Sequence, residues 1–238
     1  MPMAKSPQKQ PGSLFAGRRQ ATIFVGLALG AVAALAVDLP IAQWLREDPS
    51  PLPKILLRVV NWSEAFAYAV GVGIFALAVY VLDPARRASV PRLLTMSWGA
   101  GLMADIAKLS IQRLRPKEFK SDGGVLNTFG PIFNLGNGHG SQSFPSAHAA
   151  SAVGLAVALS RLYPQGRPLF VALATLACLQ RMETGAHFLS DVLAGAAIGY
   201  LFARWCVGQG WLARRFDVWE STWQRRWPPQ SSPAPPAN

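Results

Sequence analysis

Charge is scarce in this chain. Only 15% of its 238 residues are Asp, Glu, Lys or Arg, while 51% are hydrophobic. An ordinary soluble domain carries about 25% charged residues, so the balance argues against a water-soluble globule and for a membrane protein. Acidic residues are scarcer than basic ones, 12 against 23, for a net charge of +11. Cysteine is nearly absent. Cys178 and Cys206 lie within or at the end of apolar segments, toward opposite faces of the membrane in the topology argued below. That excludes a disulfide framework, and two cysteines alone make no metal site. No internal repeat and no soluble domain can be picked out. The first apolar segment is longer than the usual core of a signal peptide and has no small-x-small cleavage site, so we keep it as a helix.

What is present are long apolar runs. Ala21–Val37 and Ala65–Leu82 carry 17 and 18 residues, neither broken by Lys, Arg, Asp or Glu. Leu93–Ala104 runs on through Asp105 and Lys108 to about Ile111, and Ala147–Leu159, Pro168–Leu179 and Val192–Phe202 follow. The first two meet spanning length. The other four reach it only if their polar ends belong to the helices. We therefore expect an all-α fold, a bundle of six transmembrane helices, in three parts. Residues 1–20 form a disordered basic tail, 21–208 the membrane domain, and 209–238 an interfacial segment with a Pro-rich tail. Four tryptophans among four arginines in 211–227 suit the membrane surface.

A strongly basic chain invites a nucleic-acid reading, but the placement of the charge opposes it. In a six-helix topology 14 Lys and Arg residues fall on one side and nine on the other. The positive-inside rule then puts both termini in the cytoplasm. The basic tails read as topology signals and contacts to anionic lipid, with no nucleic-acid partner. The pairs Gly26-x3-Gly30 and Gly195-x3-Gly199 suit close helix packing, within the bundle rather than between subunits. The oligomeric state stays open.

The informative residues are three polar clusters at the ends of apolar segments. Lys108-x6-Arg115-Pro116 closes the third helix; the seven-residue spacing lets both cations share one face. Pro145-Ser146-Ala147-His148 opens the fourth. Ser146 is a good cap, and the free N–H groups of the first turn suit an anion. Arg181-x5-His187-x3-Asp191 joins the fifth helix to the sixth. His187 and Asp191 stand at i, i+4, where a carboxylate can hold one ring nitrogen and leave the other as a nucleophile. Taken singly, each cluster also suits snorkelling, capping or a plain structural bond. Taken together, all three meet the same outer face, and three cations, two imidazoles and a carboxylate there point to a bound phosphate. Asp105, one turn before Lys108, reads as a structural partner for it. The connection from Pro116 to Phe144 is long for a loop and joins two of the clusters, so we expect function from it. Its Phe119, Phe129, Phe133 and Phe144 suit either the lipid interface or a lipid tail, and His139 reads as a loop residue.

The three clusters resemble the type 2 phosphatidic acid phosphatase family, which is related to the vanadium haloperoxidases. That family's pattern is K-x6-R-P, P-S-G-H and S-R-x5-H-x3-D. This chain departs from it at Ala147, for glycine, and at Gln180, for serine. The resemblance implies a membrane lipid phosphatase that hydrolyses a phosphomonoester or pyrophosphate through a phosphohistidine. In that scheme His187 attacks phosphorus, Asp191 holds its tautomer, and His148 protonates the leaving group and then activates water. Lys108, Arg115, Arg181 and the Ser146–Ala147 region neutralise the phosphate. Neither metal nor cofactor is implied. The implied setting is a bacterial inner membrane, with the site on the outer face. A phosphotransferase using the same residues, or a lipid-binding or transport bundle without catalysis, stays open at this stage.

Overall fold

The computed structural model describes residues 12–47, 50, 52–119, 123–131 and 142–227. Among these the chain is helical and forms no β-strand, only two isolated bridges. In chain order the helices are α1 (Gly12–Ala34), α2 (Asp38–Leu45), α3 (Lys54–Trp62), α4 (Ala69–Leu82), α5 (Val90–Leu94), α6 (Ala100–Lys108), α7 (Ala147–Leu162), α8 (Arg167–Glu183), α9 (Leu189–Val207) and α10 (Trp211–Arg226). A π-helical turn, Thr95–Gly99, joins α5 to α6 through helical backbone at both ends, so 90–108 is one rod.

Helix α7 is the axis of the bundle. It buries ten of its 16 residues, mostly Ala and Gly, against α6, α8 and α9. Small side chains let backbones approach closely. Helix α7 lies close to the rod, where a methyl group on Gly154 would stand 2.1 Å from the Met96 carbonyl oxygen, and close to α9. A methyl group on Gly195 would lie 2.2 Å from the Ser146 carbonyl oxygen, and one on Gly199 would lie 2.3 Å from that of Ala150. The Gly195-x3-Gly199 pair therefore serves packing inside the bundle, as its spacing suggested. Gly26 has nothing within 4 Å, and Gly30 faces only Leu193 at 3.6 Å, so the first pair is not a tight contact. Larger apolar side chains point outward: Leu29, Val32, Ile74, Leu77, Leu102 and Leu201 are all exposed.

The six apolar runs correspond to α1, α4, the α5–α6 rod, α7, α8 and α9, and several of the polar ends belong to helices, while Arg115 and His187 do not. Arg181 is in α8, Asp191 in α9 and His148 in α7. Three differences stand out. α1 begins at Gly12, inside the segment expected to be disordered, and 1–11 lie outside the described residues. The second run is not a continuous helix, because a 3₁₀ turn (Ser63–Phe66) precedes α4. Among the described residues no single helix is both long and apolar enough to cross a membrane. By length and composition alone three bent pairs qualify, taken together: Gln20–Ala34 with α2 at 78°, Lys54–Phe66 with α4 at 71°, and α9 with α10 at 54°. The segment expected to be interfacial forms the helix α10, tied to the bundle by buried Arg92, which pairs with Asp217 and Glu220. The Pro-rich tail lies outside the described residues.

The α7–α9 contact gives a direct prediction. Gly195→Ala should destabilise the protein by about 1–3 kcal/mol through overpacking, whereas Gly26→Ala should stay within about 0.5 kcal/mol of the parent. Thermal unfolding in detergent measures both. Equal midpoints would mean that α7 and α9 do not meet through their backbones.

Candidate active site

Local chain geometry brings the three clusters to one end of the bundle. The α5–α6 rod stops at Lys108, and residues 112–115 run extended rather than helical. The Leu114 N–H donates to the Thr128 carbonyl at 2.8 Å, the Gly130 N–H to Gln112 at 3.0 Å, and the Ser143 N–H to Arg113 at 2.9 Å. Arg115 takes extended backbone because Pro116 follows it. Lys108 and Arg115 therefore do not share a helical face, as their spacing suggested. Instead the Arg46 guanidinium donates to the Pro116 carbonyl at 2.7 Å, and the Lys117 N–H to Gly185 at 3.2 Å. These bonds bring Arg115 against the α8–α9 turn.

That turn carries His187. Gly185 enables it with a φ of +63°, in the left-handed region. His187 lies outside the helix, before the cap residue Phe188, so the i, i+4 stacking on a helical face does not occur. Asp191, at the third helical position, accepts the Phe188 N–H at 2.8 Å. It stands 3.9 Å from His187 Nδ1, in the range of charge attraction but beyond a hydrogen bond. The bond to Nδ1 goes to the Ser143 carbonyl oxygen at 2.6 Å. A carbonyl can only accept, so Nδ1 carries the proton and Nε2 presents its lone pair. The Ser143 hydroxyl in turn donates to Asp191 at 2.6 Å. Asp191 thus reaches the imidazole chiefly through Ser143. Burial holds the His187 pKa below the ordinary histidine value, against the opposing pull of Asp191. The ring is therefore neutral near pH 7.

Ser146 caps α7, its hydroxyl accepting the Ala149 N–H at 3.3 Å, and its own N–H donates to the Asp191 carbonyl at 3.0 Å. Ala147 is the first helical residue, so replacing glycine there adds no backbone strain. His148 follows, within electrostatic reach of Arg181, His187 and Lys108. Arg181 and Arg115 likewise feel one another. Lys108 pairs with Asp105 at 2.9 Å, as its spacing suggested, and Arg181 with Glu64 at 3.2 Å. The Nε atoms of Arg115 and Arg181 are buried and find no partner among the described residues, and neither does the amide oxygen of Gln180. Guanidinium donors left open beside two imidazoles suit an anion with several oxygens.

Several residues of this site were not singled out from the sequence. Arg113 is fully buried and donates to Asp38 at 2.7 Å, Ser190 at 2.6 Å and Thr128 at 3.0 Å, and to Asp191. Phe129 and Phe188 flank its guanidinium at 4.5 and 4.2 Å. Phe129 also meets Phe144, with centroids 6.2 Å apart, so these two loop phenylalanines pack within the molecule. Phe133 and His139 lie outside the described residues. The turn before α4 supplies Glu64, and Tyr68, whose ring stacks on His148 at 6.3 Å. No cluster of His, Cys, Asp and Glu suited to a metal occurs among the described residues.

Residues 89–215, more than half of the chain, match the model of the PAP2 superfamily. The chain belongs to that superfamily. It is 30% identical to a lipid A 1-phosphatase of Rhizobium etli over 78% of this chain and 82% of the relative. It is 31% identical to a lipid A 1-phosphatase of Rhizobium johnstonii over 78% of each. The matched superfamily region holds all three clusters and Arg113. Asp38 and Glu64 precede it.

The Ser143 link is testable. Ser143→Ala keeps the carbonyl on Nδ1 but frees Asp191, so kcat should fall roughly five-fold with KM unchanged, the effect of one positioning hydrogen bond. Arg113→Met leaves two buried carboxylates without their cation and should cost about 3–5 kcal/mol of stability. Steady-state kinetics and thermal unfolding read the two effects. An unchanged kcat for Ser143→Ala would mean that Asp191 acts on His187 without the serine.

Proposed function

We propose that this PAP2 superfamily member is an integral membrane lipid phosphatase that removes a phosphate group from a lipid through a phosphohistidine. One observation carries the proposal: the buried Nε atoms of Arg115 and Arg181, without partners among the described residues, lie at the same end of the bundle as His187, whose tautomer is fixed. His187 Nε2 attacks phosphorus, and the P–O bond to the lipid breaks as the P–N bond forms. His148 gives a proton to the departing oxygen. It then takes one from the water that displaces His187, and inorganic phosphate leaves. Lys108, Arg115, Arg181 and the first turn of α7 hold the phosphoryl oxygens. The relatives favour the 1-phosphate of a lipid A-type glycolipid as substrate. The outward-facing Leu, Val and Ile side chains and the small-residue interior favour a bilayer around the bundle.

Two variants separate the roles. His187→Ala should abolish both phosphate release and trapping of a ³²P-labelled phosphoenzyme, while the protein stays folded. His148→Ala should slow an alkyl phosphate far more than an aryl phosphate with an acidic leaving group, because only the first needs protonation. Equal losses on both substrates would make His148 a phosphate ligand. Normal turnover without His187 would end the proposed mechanism.

The charge bias favours a periplasmic position for this end of the bundle and cytoplasmic termini. With both native cysteines changed to serine, Leu126→Cys should label with an impermeant thiol reagent in intact cells. Gln165→Cys, in the exposed α7–α8 connection, should label only after the membrane is opened. The reverse pattern would move the reaction to the cytoplasmic leaflet.

A further inference from the structure

One cavity extends away from the proposed chemistry. It is a groove of about 810 Å³ between α1, α7, α8 and α9. Its walls are apolar, with Leu27, Val157, Leu193 and Ala196 among them, and Met182 and Leu189 mark the end nearest the catalytic turn. The other end holds three arginines: Arg161 at the end of α7, Arg167 at the start of α8 and Arg204 near the end of α9. Helix α8 runs 17 residues from Arg167 to the site. At 1.5 Å per residue the arginines stand roughly 25 Å from the histidines.

These cations are weakly neutralised. Arg204 Nε is buried without a partner among the described residues. Arg161 meets Glu220 only at 3.5 Å, and Glu220 is engaged more closely by Arg92 at 3.0 Å. The positive end of the α8 dipole falls at the same place. An apolar trough of this size closed by three arginines matches one ligand chemistry, a negatively charged head on long hydrocarbon chains. Basic pockets between transmembrane helices on the cytoplasmic side bind such heads.

We propose that this groove is a binding site for an anionic glycerophospholipid of the leaflet opposite the active site. Its phosphate lies among Arg161, Arg167 and Arg204, and an acyl chain lies along α8 and α9. The lipid is not the substrate, because its head is a bundle length from His187. It joins α1, α7, α8 and α9, and so supports the frame that carries the catalytic turn.

The test is thermal unfolding of delipidated protein in neutral detergent, with added phosphatidylglycerol or with phosphatidylcholine of the same chains. Saturating phosphatidylglycerol should raise the midpoint by about 5 °C or more, and phosphatidylcholine should leave it nearly unchanged. The variant carrying Arg161→Gln, Arg167→Gln and Arg204→Gln should lose the shift while keeping phosphatase activity in detergent. Should that variant not fold, Arg204→Gln alone and Thr175→Trp, which fills the groove from an exposed position, should each weaken phosphatidylglycerol binding several-fold. Equal shifts from both lipids, a full shift in the arginine variants, or the same shift from glycerol phosphate alone would each overturn the proposal. None of these outcomes bears on the catalytic mechanism, which is read from phosphate release.

Discussion

A guanidinium with no access to water holds the catalytic end together. Arg113 has one buried carboxylate, Asp38, on one edge and another, Asp191, on the other. Unpaired, a buried carboxylate or guanidinium is strongly unfavourable, so these three groups must meet for the region to fold. The meeting joins parts far apart in sequence: the start of α2, the extended run after α6 and the start of α9. The remaining lone pairs are also used. Asp38 accepts from the Ser190 N–H at 3.0 Å, and Asp191 from Phe188 and Ser143. The position of His187 is a consequence, since its ring is held by the same Ser143 that Asp191 holds. Arg113 touches no reacting atom in the proposed scheme, yet each element of the site leans on it.

The remaining frame obeys a different rule. Between the helices, packing depends on what is missing from the side chains. α7 and α9 meet through Gly195 and Gly199 with carbonyl oxygens where a methyl group would stand. In a lipid surround no hydrophobic gain drives helices together, so close backbone contact and buried polar pairs must supply the cohesion. The polar network sits at one end and the small-residue seam runs through the middle. The seam sets the distance between the starts of α7 and α9, beside which His148 and His187 lie.

Much of this was legible in the sequence because it is local. The six apolar runs are helical, the second of them broken by a 3₁₀ turn, and Lys108, His148, Arg181 and His187 lie at or beside helix ends as their positions suggested. The rest depends on contacts between distant residues. Arg113 is indistinguishable by sequence from other arginines near a membrane. Its partner Asp38 lies 75 residues away, and nothing in the spacing joins them. Residues 112–115 read as the tail of a helix because the seven-residue spacing of Lys108 and Arg115 suits one helical face. They run extended because backbone pairing with 128–130 and 143 takes their hydrogen bonds. The His187–Asp191 spacing read as helical because both residues flank a helix start, but Phe188 is an extended cap, with φ −78° and ψ 165°. A carbonyl as the partner of Nδ1 could not be read at all, since every residue has one.

The pairing of the cations fits an enzyme that must release its product. Lys108 has Asp105 and Arg181 has Glu64, and both carboxylates are solvent-exposed. Exposed pairs of this kind are worth little, typically about 0–1 kcal/mol. An arriving phosphate can therefore exchange with them at small loss, and when phosphate departs the carboxylates return to the cations. Arg113 is the opposite case, with buried partners that cannot exchange. The division follows the burial of the carboxylates: those that can let go of a cation face water, and those that hold Arg113 are sealed from it. A site with all its cations buried and bare would grip inorganic phosphate, and one with all of them firmly paired would not bind substrate.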